Sequence, residues 1–183
     1  MKRIFLVLIV FIMGSIMVAE SVETSNIAAF DSNKGSLIIK EYHSIASVKG
    51  LYSGKLNMDV LFMQDATTNR TISGLRMEAE ETKSYGASSS RSLLDVEEVE
   101  SLISALDYLI QAKTKYGTDK QQPYRELEYS SKDSFKFGVF ISKAEYTLFS
   151  TVGRIGSTTI FLKYDQLPQI NQHLVSALAK LKE

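Results

Sequence analysis

Cysteine is missing from the chain altogether. That excludes disulfides, thiolate metal sites, thiol catalysis and a lipid-modified cysteine at a mature N-terminus. Histidine is nearly as scarce, with two residues, His43 and His173, so imidazole chemistry has little to draw on. Net charge is lacking as well: 21 Lys and Arg balance 21 Asp and Glu, and no basic tract stands out. A chain without a long-range positive field does not attract nucleic acid or anionic lipid, so nucleic acid is not an expected partner. No G-x-S-x-G nucleophile elbow is found. The segment GRIGST, 153–158, lacks the lysine of a phosphate loop, and a strand follows where such a loop needs a helix. No cofactor and no metal site is expected.

What the chain does have begins at its N-terminus. Lys2 and Arg3 precede an unbroken apolar run from Ile4 to Met13, and Ala19 is a small residue suited to cleavage. This is the pattern of an export signal over 1–19, and its apolar stretch is short for a bilayer span, which needs roughly twenty residues. Met17 is bulky for the position two before a cleavage point, so membrane attachment is expected only if the segment stays uncleaved. The expected location is periplasmic or extracellular, in a bacterial setting. Residues 20–35 are polar without a sustained period and read as a flexible leader. Residues 36–183 then form one domain, long enough to bury roughly two thirds of its unfolded surface.

The periodicity of that domain is mainly that of strands. Leu56, Met58, Val60 and Phe62 share one side of a period-two run, and Leu75, Met77 and Ala79 alternate with Arg76, Glu78 and Glu80. A stretch of mixed facing, SLIIKEYHSIASV, precedes them. Two helices stand out. In the first, Val96, Val99, Leu102, Ile103, Leu106, Leu109 and Ile110 step by three and four. Asp95 is placed to cap it, and Glu97 and Glu98 fall in its first turn, where acids offset the helix dipole and are expected to face water. The second, near the C-terminus, repeats the tripeptide Ser-Ala-Leu and sets Ile170, Leu174, Ala177, Leu178 and Leu181 on one side. The expected fold is α+β: an antiparallel sheet of about seven strands, in the order βββ-α-ββββ-α, with two amphipathic helices packed on it. The order also suggests two similar halves.

Few residues offer chemistry. Glu41 and His43 lie two apart on one strand, so their side chains share a side, as an acid–base or metal-ligand pair requires. Glu78 and Glu80 lie on one sheet face roughly 7 Å apart by the strand rise, the kind of pair a glycosidase uses. Arg76 shares that face, which makes a wet ion-paired surface the simpler reading. The remaining signal is apolar. Leu61 and Met63 lie behind the Phe62 side, Phe140 lies behind Phe137, and Phe149 and Phe161 oppose their own core neighbours. A sheet covered on one side should show a polar second face, so these five residues mark either a binding surface or a face that protein covers. The expected function is a non-catalytic exported module that binds a protein, a cell-envelope component or a small apolar ligand. The alternative is a hydrolase of envelope or extracellular polymers built on the Glu41, His43, Glu78 and Glu80 carboxylates and imidazole.

Overall fold

The computed structural model describes residues 23–83, 86–117 and 119–183; the expected signal, 1–19, lies outside them. A short helix α1 (Asn26–Asp31) leads into strands β1 (Ile38–Lys49), β2 (Gly54–Asp65), β3 (Thr71–Lys83) and β4 (Gly86–Leu94). Helices α2 (Val96–Ile110) and α3 (Ala112–Tyr116) follow, then β5 (Arg125–Ser130), β6 (Lys136–Ser142), β7 (Glu145–Val152) and β8 (Thr158–Lys163). A 3₁₀ turn (Tyr164–Gln166) opens into α4 (Leu167–Leu181). The class is α+β as expected, but the single sheet of about seven strands is replaced by two antiparallel sheets of four, β1-β2-β3-β4 and β5-β6-β7-β8. Each sheet is a meander in chain order, and each is followed by a helix of 15 residues.

The missed strand is β4. Its sequence, GASSSRSLL, has too few apolar residues to alternate visibly. It forms because β3 is long enough to offer it a partner along its length, from Leu75 opposite Leu94 to Lys83 opposite Gly86. The mixed facing of β1 also has a local cause. A bulge between Ser44 and Ala46 shifts its register on β2, so the side chains on either side of it follow different parities.

Helices α2 and α4 pack on each other and on the first sheet, α2 also reaches β5, and β3 and β4 of the first sheet lie directly against β7 and β8, so that the result is one shared core. Leu102, Leu106 and Leu109 of α2 and Ile170, Leu174 and Ala177 of α4 are buried in it. The same cluster holds Leu56, Met58, Leu75 and Met77 from the first sheet, Phe137, Val139 and Leu148 from the second, and Phe135 from the β5–β6 turn. Each of the larger of these side chains contributes about 1.5–3 kcal/mol by leaving water. Without disulfides, this burial is the main source of stability.

The second face of the first sheet is closed at one end by α1, within the stretch read as a leader. Ile27 packs on Leu61, Met63 and Leu93, with Phe30 and Ile72 at the margin, as a small separate core. Gly74 makes the close approach feasible: a Cβ there would lie 2.4 Å from the Leu94 carbonyl oxygen and 2.7 Å from Ile27 Cδ1. Six residues are too few to show a helical period in sequence, and α1 is held by distant groups. Asp95 accepts from the backbone N–H of Asn26 (2.8 Å) and of Ile27 (2.9 Å), the first two free amides of the helix. Ser25 accepts from Ala28 N and donates to the Leu93 carbonyl at 2.9 Å.

Asp95 thus spends its carboxylate on α1 and its position on α2. The first turn of α2 departs from expectation at Glu98, which is 6 % exposed and turned inward. Its carboxylate accepts from Asp95 N at 3.0 Å and from Lys132 N at 2.7 Å, and its carbonyl accepts from the Tyr129 hydroxyl at 2.9 Å. Burial, with the Glu98 charge adding to it, pushes the Tyr129 phenol up to about 12. Glu97 and Glu100 remain exposed. The β5–β6 turn completes the junction through Asp133, which accepts from Leu93 N at 2.8 Å.

Asp133 generates a pH prediction. Burial pushes its carboxyl above the ordinary 3.8, against the opposing pull of the Leu93 N–H and of Arg154 and Arg91. A raised folded-state pKa means the folded chain holds this proton more tightly than the unfolded one. Its contribution to stability is therefore fullest below 3.8 and declines as pH rises through the folded-state value. Asp65, held low by the Thr68 and Thr67 amides, acts in the opposite sense, so the comparison of variant with parent isolates Asp133. Asp133→Asn keeps an oxygen for Leu93 N and removes the charge. Urea midpoints taken between about pH 3.5 and 6 should show the variant gaining on the parent as pH rises; parallel curves would contradict the assignment.

Candidate binding face on the second sheet

The inner side of the second sheet is taken up by the shared core, and its outer side is built from the alternate residues. On β6 these are Lys136, Gly138, Phe140 and Ser142; on β7, Glu145, Thr147, Phe149 and Thr151; on β8, Thr159, Phe161 and Lys163. Neither hydrophobic cluster of the described residues includes Phe140, Phe149 or Phe161. Around them Glu126, Glu128, Lys136 and Lys163 are exposed, so the face meets solvent.

The aromatic residues form a row across the strands. Phe140 and Phe149 stack with centroids 4.3 Å apart and planes at 15°, and Tyr124, just before β5, continues the stack on Phe140 at 6.3 Å and 23°. Phe161 stands directly opposite Phe149 on the neighbouring strand. A stacked pair such as Phe140 with Phe149 is worth about 0.5–1.5 kcal/mol beyond area burial. Gly138 is opposite Phe149 on the other side and lets the ring lie over its bare backbone. Phe149 is consequently 3 % exposed, while Phe140 and Phe161 are half-buried and Tyr124 is 61 % exposed. Thr151 and Thr159 hydrogen-bond each other at 2.9 Å beside the row. The face therefore pairs an apolar ridge with hydroxyls and a charged rim, in which Lys136 bonds Glu128 at 2.8 Å. Tyr124 falls at the end of a polar linker in sequence. Its membership in the row was readable only by extending the alternation of Glu126 and Glu128 back by one step.

Leu61 and Met63, expected on an apolar second face, do lie on one, but beneath α1, where each is 2 % exposed. They belong to the small core and offer no surface to a ligand. The structure thus divides the five expected residues: Leu61 and Met63 are covered on the first sheet, Phe149 is buried within the row on the second, and Phe140 and Phe161 are half-exposed beside it.

The polar candidates separate similarly. His43 Nε2 lies 2.8 Å from Glu41 Oε1, and the imidazole meets Phe62 edge-on at 5.5 Å. Glu41 borders a shallow groove of about 490 Å³ whose lining includes Phe62, Gln64 and Ser73. Ser73 is across β2 from Glu41, about 10 Å away by the spacing of adjacent strands, too far for a nucleophile and its base to share a proton. Glu78 bonds Arg76 at 3.1 Å and Ser89, and Glu80 bonds Lys55 at 3.1 Å and Asn57 at 2.6 Å. Arg76 also reaches Asp59 at 2.8 Å. The two glutamates are parts of an ion-paired sheet surface, far from Glu41 and His43 in the register. Among the described residues no group of three His, Asp or Glu is arranged to hold a metal ion, and no helix is long and apolar enough to cross a membrane.

The ring-on-glycine contact is directly testable. An alanine Cβ at position 138 would lie 2.4 Å from the Leu127 carbonyl oxygen and 2.7 Å from Phe149 Cζ, so backbone must move. Gly138→Ala should cost about 1–3 kcal/mol in urea unfolding and perturb the near-ultraviolet aromatic signal; an unchanged midpoint would show that the row is not seated as described. Comparison with protein-family models and with curated proteins finds no match to this chain.

Proposed function

We propose that this chain is an exported, non-catalytic interaction module that binds a partner protein across the outer face of its second sheet. The observation that carries this reading is the row Tyr124–Phe140–Phe149 with Phe161, in which Tyr124 is exposed and Phe140 and Phe161 are half-exposed, while the corresponding region of the first sheet has its own helix. Apolar surface of this kind has a cost in water, and soluble domains retain contiguous patches mainly where something binds. The geometry favours protein over sugar. The inner rings stack closely on one another, with Phe140 and Phe149 at 4.3 Å, which leaves no room for a sugar between them. Edges and hydroxyls flanked by Glu126 and Lys163 suit a mixed protein surface, with an apolar centre and a polar rim. Export is supported by the N-terminal pattern of the sequence.

A second reading, hydrolysis of an envelope or extracellular polymer, draws on the 2.8 Å contact of His43 with Glu41 beside a groove. Ser73, across β2 in the same groove, is too far from that pair to share its proton, and Glu78 and Glu80 are not part of it. The binding reading uses more of what the structure displays.

The test places a photoreactive residue at position 161 in the full chain expressed with its N-terminal segment, and a control at position 78 on the polar face of the first sheet. Position 161 should yield a discrete crosslinked partner that Tyr124→Ser and Phe140→Ser diminish together, while both variants keep their circular dichroism. Truncated hot-spot aromatics commonly cost about 2 kcal/mol or more in binding. Equal crosslinking from both positions, or loss of folding in both variants, would count against the reading.

A further inference from the structure

The two sheets have four edge strands, and three of them are occupied or blunted. β1 carries the bulge at Ser44. Along β4, Asp133 accepts from Leu93 N and Ser92 Oγ accepts from Gly153 N. On β8 the Phe161 carbonyl accepts from Leu51 N at 2.7 Å. β5 is different: it pairs with β6 alone, and no described hydrogen bond reaches the peptide groups turned away from β6. A groove of about 410 Å³ runs along that side, walled by Ala105, Tyr108 and Leu109 of α2 and by residues 126–129 of β5. Side chains alternate along a strand, so four consecutive residues border one groove only by presenting their backbone edge to it. Leu127 and Tyr129 face the helix side, and Ala105 is small enough to leave the space open.

We propose that an extended peptide from another protein adds to β5 as a fifth strand of the second sheet, with alternate side chains apolar toward Ala105 and Leu109 and basic toward Glu126 and Glu128. Unpaired strand peptide groups beside an apolar groove fit one class of ligand, a second strand, whose main chain supplies the hydrogen bonds and whose alternate side chains supply the specificity. The charge pattern selects the guest. Glu126 and Glu128 stand on the same outer side; Lys136 bonds Glu128, while the partner of Glu126 is the Tyr124 hydroxyl at 3.3 Å. A second copy of the chain fits poorly. Pairing β5 with β5 about Leu127 sets Glu126 opposite Glu128 twice, and like charges directly across a strand pair repel. A lysine or arginine at every other position of the guest replaces that repulsion with attraction. This site is the edge of the sheet, not its aromatic face, and it stands whether or not the aromatic face binds anything.

The experiment uses a fluorescent peptide of about eight residues alternating valine and lysine, long enough to pair along β5. It is titrated into the intact domain by anisotropy and followed by amide chemical shifts. Binding is expected, with the largest shifts at residues 126–129 and at Ala105 and Leu109. A peptide of equal charge with proline at alternate valines, which lacks the amides for pairing, should bind about tenfold more weakly or worse. Ala105→Phe, which fills the groove, should weaken the valine–lysine peptide about tenfold. The pair Glu126→Lys and Glu128→Lys lies on exposed surface, and it should reverse the preference toward a valine–glutamate peptide. Equal affinity for the proline peptide would reduce the effect to charge attraction and overturn the proposal. So would shifts centred on Phe161, no binding at millimolar peptide, or self-association of the domain that produces the same shifts without peptide.

Discussion

Two buried carboxylates hold the joint on which the rest of the structure turns. Asp95 receives the first amides of α1, and Glu98 receives the backbone of Asp95 on one side and of Lys132 on the other. Three stretches of chain far apart in sequence meet there: α1, the passage from β4 into α2, and the β5–β6 turn. A carboxylate buried without such donors would be strongly destabilising, and here each oxygen of both groups has at least one N–H. Lys132 Nζ, 3.9 Å from Asp95 and 3.7 Å from Glu97, adds a counter-charge at the rim. The hydrophobic core supplies most of the stability. The junction supplies register, because its hydrogen bonds are satisfied in one relative placement of the two sheets.

That placement makes the halves alike inside and unlike outside. Each half is a four-stranded meander followed by a helix, and the inner faces merge in one core. Each sheet also has a glycine on a central strand that admits a close apolar neighbour, Gly74 under Ile27 and Gly138 under Phe149. On the first sheet the neighbour comes from α1, and the face is sealed. On the second it comes from the sheet itself, where Phe149 is buried by its neighbours and Tyr124, Phe140 and Phe161 are left in contact with solvent. The functional reading follows from this difference: one half of a nearly repeated architecture keeps a cover, and the other presents what the cover would hide. The unpaired edge of β5 adjoins the same half, so both candidate contacts lie on the second sheet.

Much of this was legible in the residues. The alternation in β3 placed Leu75, Met77 and Ala79 inside and Arg76, Glu78 and Glu80 outside, and the three- and four-residue steps of α2 and α4 identified their buried sides. Local period sufficed because each of those elements has a clear apolar and polar side. Where an element depends on a distant partner, sequence period was silent. β4 exists because β3 is long, and α1 because Asp95 lies about seventy residues away to receive it. The single sheet became two because strand count does not say where pairing stops. Glu98 is instructive, since it precedes Leu102 by four residues and so stands on the buried stripe. The dipole argument put both first-turn acids on the water side, which holds for Glu97 and fails for Glu98. The apolar surplus at Leu61, Met63, Phe140, Phe149 and Phe161 was visible, but only tertiary structure could divide it into a covered part and an open one.

The absence of cysteine allows the central contrast to be measured cleanly, because any introduced thiol is the sole one. Single variants Met63→Cys and Phe161→Cys are labelled with a thiol reagent under native conditions, each alone and each combined with Asp95→Ala. The account predicts that position 161 reacts readily in both backgrounds. Position 63 should be protected until Asp95 is removed and α1 is released. Equal protection at the two positions, or a thiol at position 63 that reacts as fast with Asp95 present as without it, would contradict it.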